Sequence, residues 1–238
     1  MPMLYCFLPI AFFMFLLARA MSAGIDSNWY DAHATFYGDM NGGETMQGAC
    51  GYGNLFEQGY GLQTTALSTA LFNDGFACGS CYEIKCSIKV TATNFCPSNN
   101  NDGWCNPPRN HFDLSMKMFT TIAEYKAGII PVQYRCVLCI KTGGVKFELK
   151  GNPNWLLVLV YNVGNAGDIS SISIKGSTSN EWNQMKHNWG ENWNTGLNLV
   201  GQALSFQVTT SDGKKLEFNN VAPVNWQFGQ TYKSIQNF

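Results

Sequence analysis

Eight cysteines stand between Cys50 and Cys139, none follows Cys139, and the ninth, Cys6, lies in an apolar N-terminal run. An even set confined to one stretch acts as covalent staples when the compartment is oxidising. The N-terminus speaks to the compartment. Phe7–Ala18 is apolar and is followed by the small residues Ala18, Ala20 and Ala23, although the preceding residues carry no Lys or Arg. That run has the length of a signal-peptide core, short of the ~20 residues of a spanning helix. The reading is a signal peptide over residues 1–23 and a secreted chain from Gly24. No Asn-x-Ser/Thr sequon occurs, so N-glycosylation is not expected. Cys78-x-x-Cys81 and Cys136-x-x-Cys139 look like halves of a four-cysteine zinc site, but their separation is too long for a zinc ribbon. Disulfides are expected, with no metal and no cofactor.

The cysteine-free remainder implies a second unit. The loop Lys141-Thr142-Gly143-Gly144 separates a stapled domain, 24–142, from a second domain, 143–238. In the second, Val145–Lys150 alternates apolar and charged residues, and Trp155–Val163 is β-branched and aromatic on both faces, so both faces are covered. Ser171–Lys175, Ala203–Thr209 and Lys215–Phe218 follow as shorter strands, the pattern of a β-sandwich. Helical pattern is confined to Leu67–Phe72 and Leu114–Lys126.

Charge narrows the ligand. The chain carries 15 Lys+Arg against 16 Asp+Glu, only 13% charged residues and 14% aromatics. This balance excludes nucleic acid, which needs a concentrated cationic face. An uncharged, flat-faced ligand such as a sugar suits it better. Asp113 is either the N-cap of the helix starting near Leu114 or a site carboxylate. Asp39 follows a strand whose alternation puts His33, Thr35 and Tyr37 on one face; it is either a turn residue or a partner carboxylate. Trp155 and Trp189 stand at a strand edge and in a loop, where their rings can stack on sugar faces, and Tyr161 shares the strand face of Trp155. Trp182 and Trp226 are expected in the core.

The runs His33–Gly38, Gly48–Asn54, Thr91–Pro97, Gly103–Pro108, His111-Phe112-Asp113 and Asn225–Gly229 together resemble a plant α-expansin, from about Asp31 to Tyr232. The resemblance implies a mainly β chain: a six-stranded double-psi β-barrel similar to glycoside hydrolase family 45, then an immunoglobulin-like sandwich similar to carbohydrate-binding module family 63. It implies a monomer in the plant cell wall that binds cellulose and matrix glycans such as xyloglucan. Such proteins loosen walls at acid pH without hydrolysis. Carried onto this chain, Thr35, Phe36, Tyr37, Asn94 and His111 would line a glycan groove, with Asp113 as its essential carboxylate and Asp39 as a vestigial base. Trp155 and Trp189 would form the aromatic platform, with Tyr161 added from strand phase. The implied disulfides are Cys50–Cys78, Cys81–Cys139 and Cys96–Cys105, which leaves Cys86 with Cys136 as a fourth pair.

The chain also departs from that pattern. The usual cysteine-bearing insert between Cys86 and Val90 is absent, and Cys136 replaces an arginine. The sequence pI is about 6.3, so attraction to acidic pectin should be weak at neutral pH. Two alternatives stay open: a weak inverting endoglucanase using Asp113 and Asp39, and a divergent binding-only copy.

Overall fold

The computed structural model describes residues 27–43 and 47–238, so the signal-peptide expectation for 1–23 lies outside the described residues. Six strands form the first unit: β1 (Tyr30–Tyr37), β2 (Thr64–Ser68), β3 (Cys81–Ile84), β4 (Ile88–Cys96), β5 (His111–Ser115) and β6 (Ile130–Val137). They close in the order β1-β5-β2-β4-β3-β6, with β1/β5 and β2/β4 parallel and the other pairs antiparallel. Closure leaves no open sheet edge. Alternation along β1 sends Ala32 and Ala34 into the barrel and leaves His33, Thr35 and Tyr37 on the outer face. Phe36 follows the alanines: its ring packs on Phe119 and Tyr125 at 4.7 and 4.9 Å. The expected groove role of Phe36 is therefore corrected to core packing on the opposite face.

The helix expected from Leu114 begins later, because Leu114 and Ser115 complete β5. In the helix α1 (Met116–Ile122) the cap is Ser115, whose hydroxyl accepts from the Met118 N–H at 3.4 Å. Asp113 is consequently not a helix cap and keeps its carboxylate for the outer face of the barrel.

Three disulfides, Cys50–Cys78, Cys81–Cys139 and Cys96–Cys105, match the implied pairs. The fourth does not form: Cys86 and Cys136 are not joined. Strand register explains this. Cys136 lies opposite Tyr82, while Cys86 sits in the β3–β4 turn past Ile84. Four residues along a strand is ~13 Å, against a Cα limit of about 7 Å for a disulfide. The turn left by the missing insert closes nonetheless, with Ser87 N–H donating to Ile84 O at 3.2 Å and with Cys86 and Ser87 at φ of 92° and 77°.

The second unit holds two sheets. One orders β10 (Asn183–Gln184), β9 (Ile169–Gly176), β13 (Leu204–Thr210) and β14 (Lys215–Ala222); the other orders β11 (Lys186–Trp189), β12 (Asn192–Thr195), β8 (Trp155–Tyr161), β7 (Lys146–Asn152) and β15 (Gln230–Lys233). Between them pack Phe147, Leu149, Val158, Val160, Ile174, Val208 and Phe218, with Phe147 stacked on Phe206 at 4.5 Å. Such an aromatic pair adds about 0.5–1.5 kcal/mol beyond its area. Trp226 is buried as expected and donates its indole N–H to Gln202 O at 2.9 Å. Trp182 is not in the core: it is half-exposed with the Lys175 ammonium 4.5 Å from its ring.

The outer face of β8 shows what covers it. Leu159 and Tyr161 belong to the apolar cluster of the barrel, alongside Tyr52 and Tyr60, whereas Trp155 at the other end of the strand is exposed. Backbone contacts stitch the seam, including Glu191 N–H to Cys50 O at 3.0 Å. At the heart of the seam, Glu191 is buried and neither of its carboxylate oxygens has a hydrogen-bond partner among the described residues.

Candidate functional site

Register aligns a row of side chains across four adjacent barrel strands. Thr35 on β1 lies opposite Asp113 on β5, Asp113 opposite Ala66 on β2, and Ala66 opposite Asn94 on β4. At strand spacing the row spans ~14 Å, and small Ala66 leaves its middle low. One step along, His33 lies opposite His111.

A directed hydrogen-bond chain organises the row. His111 Nε2 is 2.8 Å from Thr35 Oγ1, and Thr35 Oγ1 donates to Asp113 Oδ1 at 2.7 Å. His111 Nδ1 is buried and unpartnered among the described residues, so the network puts the proton on Nε2, which donates to Thr35. Burial, helped by neighbouring His33, holds His111 down at about 4, so the ring stays neutral in mild acid. Burial pushes the Asp113 carboxyl the other way, upward, against the opposing pull of the Thr35 hydrogen bond. The result is a neutral donor chain ending on a carboxyl that accepts protons more readily than a solvated one. His111, expected to touch glycan, is 1% exposed and instead positions Thr35.

Tyr37 sits at the end of the same face, its hydroxyl buried beside Asn94 and Thr93 without a well-formed hydrogen bond. The side-chain oxygen of Asn94 accepts from Ala49 N–H and Phe95 N–H, both at 2.8 Å, and so clamps the loop that follows residue 47 to the barrel. Asp39 caps its own turn, accepting from Asn41 N–H at 2.6 Å. It lies beyond the end of β1, where Gly38 at φ 74° turns the chain off the strand.

Trp104 lies outside the site residues that the sequence suggests. It is 44% exposed, and its ring lies 4.4 Å from His33 and 6.4 Å from His111, with the Arg109 guanidinium 5.7 Å from its own face. The bridge Cys96–Cys105 holds its neighbour against the end of β4. A tryptophan flanked by Gly103 and a disulfide cysteine was the available signal.

The loop held by Asn94 leads to the sandwich. Trp189 lies opposite Asn192, and Asn192 opposite Leu159, so all three share the outer sheet face with Trp155. Trp155 and Trp189 are 40% and 47% exposed, roughly 15 Å apart by strand geometry. Tyr161 does not join them: it is 3% exposed under the barrel, and its hydroxyl donates to Thr231 at 3.4 Å. Strand phase correctly assigns it to the face of Trp155, but the barrel covers that end. The outer row of the barrel, the clamped loop and the two exposed indoles therefore form one continuous strip, suited to an extended, uncharged chain.

A family model described as Expansin C-terminal domain matches residues 145–223, and one described as lytic transglycolase matches residues 64–134. Expansin-A23 of Arabidopsis thaliana is 60% identical over 228 residues, covering 90% of this chain and 82% of its own. Expansin-A7 of the same plant is 52% identical over 250 residues, covering 98% and 95%. Among solved structures, an apo expansin of Clavibacter michiganensis aligns with a TM-score of 0.70 at 20% identity, over 88% of this chain and 98% of its own. A mutant of that protein in complex with cellohexaose aligns with a TM-score of 0.71. At such identity the likeness is one of fold. The chain belongs to the expansin family.

Proposed function

We propose that the chain is a secreted cell-wall-loosening protein that parts non-covalent contacts between cellulose and matrix glycans such as xyloglucan, as a monomer and without hydrolysis. Membership of the expansin family supports wall loosening. The division into a barrel domain, 24–142, and a cellulose-binding sandwich, 143–238, is our reading of the two cores. The observation that carries the mechanism is the continuous strip. Two exposed indoles on the sandwich would stack on glucose faces, while the row Thr35–Asp113 on the barrel would grip a neighbouring strand. The bound bacterial relative, crystallised with cellohexaose, supports a glucan ligand.

The non-hydrolytic reading rests on the carboxylates. Inverting hydrolysis needs a second carboxylate about 6.5–9.5 Å from the acid, with room for a water. Facing Asp113 across the row are Thr35 and Ala66, then Asn94, all neutral, and Asp39 is committed to its turn. Once protonated, Asp113 can donate to a sugar oxygen, while the His111–Thr35 chain fixes its orientation.

The test is extension of heat-inactivated wall strips under constant load, with cellulose binding measured in parallel. Trp155→Ala and Trp189→Ala should each weaken binding by about 1 kcal/mol and reduce extension. Tyr161→Phe should leave both unchanged. Full extension by the Trp155→Ala, Trp189→Ala double variant would refute the platform.

A further inference from the structure

On the side of the seam away from the Trp155 end of β8, the barrel and the sandwich enclose a cleft of about 460 Å³ whose lining includes Lys89, Lys141, Lys146 and Lys233. These lysines come from three separate segments of a chain whose net charge is −1. Lys146 on β7 and Lys233 on β15 lie directly opposite each other across the ladder. Like charges in that position destabilise a sheet unless something anionic lies between or above them.

Among the described residues, the carboxylates nearest these lysines are paired elsewhere. Glu148, the carboxylate next along β7, is paired with Lys150 at 3.1 Å, and Glu83 is paired with Arg135 at 2.6 Å. Among the described residues, none of the four cleft lysines forms a salt bridge. Instead the Lys141 ammonium lies 4.3 Å from the Tyr60 ring, and the Lys146 ammonium 5.1 Å from the Tyr161 ring. Burial lowers Lys141 to about 8, so it remains charged at the acid side of neutrality.

We propose that this cleft is a second polysaccharide site, which takes a glycan strand bearing carboxylates, a uronic-acid chain. Spaced ammonium groups match carboxylates repeated along a polymer. The absence of arginine from the lining argues against a site built for bidentate phosphate recognition. Amide and hydroxyl groups of Asn162 and Thr142 stand among the lysines, and the exposed side chain of Ile140 offers an apolar rim for a pyranose face. The near-zero net charge, read alone, conceals this local cationic patch.

The test titrates the full chain, at about pH 6 and low salt, with galacturonate oligomers and with cello-oligomers of equal length. Galacturonate should bind, and the Lys146→Gln, Lys233→Gln double variant should lose about tenfold in its affinity, the worth of roughly one charge-assisted hydrogen bond. Cellulose binding should not change. Removing two facing charges should leave the melting temperature equal or higher, and Lys233→Gln alone, at an exposed position, provides a second variant. Lys214→Gln, Lys215→Gln, in the turn into β14 and at its first residue, is the control for bulk charge and should retain galacturonate binding. Unchanged galacturonate affinity in the cleft variants would overturn the proposal. So would an equal loss in the control pair, or displacement by inorganic phosphate at the same charge concentration.

Discussion

The indole of Trp189 lies against the α-carbon of Gly51, so that a methyl group added there would stand 2.9 Å from its ring and collide with Asn192 Nδ2. Gly51 also holds a φ of 84°, a conformation that side chains disfavour. The glycine thus permits the barrel loop to support the platform. Gly51→Ala should displace the indole, lowering cellulose affinity severalfold and costing about 1–3 kcal/mol of stability. Binding to cellulose and a melting curve on the same sample check both.

The buried acid at the seam makes stability depend on pH. Burial raises the Glu191 carboxyl well above the ordinary carboxylate range, and the nearby carboxyl of Asp168, itself raised by burial, adds to the effect. Tyr52, Tyr60 and the unsatisfied indole N–H of Trp193 complete its surroundings, with no cation among the groups that perturb it. A carboxyl raised on folding stabilises fully below its unfolded value, and that contribution is lost as pH rises through the folded value. The slope is at most about 1.4 kcal/mol per pH unit for one proton. Glu191→Gln should therefore flatten the decline of melting temperature above about pH 5. A slope equal to the parent's would show that another group carries it.

Thiol titration addresses the cysteine register. Among the cysteines of the described residues, two should react as thiols in the unfolded chain, Cys86 and Cys136, and exposed Cys86 should react first in the folded one. Cys86→Gly should raise stability by about 0.5–1 kcal/mol, since glycine adopts its φ of 92° without strain.

These cases show what a sequence exposes. Alternation in Val145–Lys150 and the β-branched and aromatic run Trp155–Val163 yield β7 and β8, because side-chain period and strand propensity are local properties. The exposure of Trp155 and Trp189 was legible from their Asn- and Gly-rich flanks. Phase cannot reveal what covers a face, which is why Tyr161 was assigned to the platform although the barrel buries it. The three pairs implied by the resemblance leave Cys86 and Cys136 over without fixing their register, and so suggest a bond between residues that the ladder keeps apart. Phe36 was within reach: if Thr35 and Tyr37 face outward, Phe36 must face inward with Ala34. Strands β11 and β12 escaped because their Asn- and Trp-rich residues carry no apolar alternation, and the lysine cleft draws on distant segments.

Asp113 links the groove to acidity. Its raised carboxyl should protonate as pH falls, and the protonated form gains a donor toward the glycan. An asparagine offers an amide donor at every pH. Asp113→Asn should therefore extend walls with little dependence on pH above about 4, where His111 also stays neutral. A pH profile identical to the parent's would remove Asp113 as the sensor.

The central claim is loosening by displacement of contacts without bond cleavage. Its most direct test is extension of heat-inactivated wall strips at about pH 4.5, with reducing ends counted in the same bath. Extension with no increase in reducing ends is the predicted result. Reducing ends that rise with extension, and vanish in Asp39→Asn, would contradict it and make Asp39 a working base.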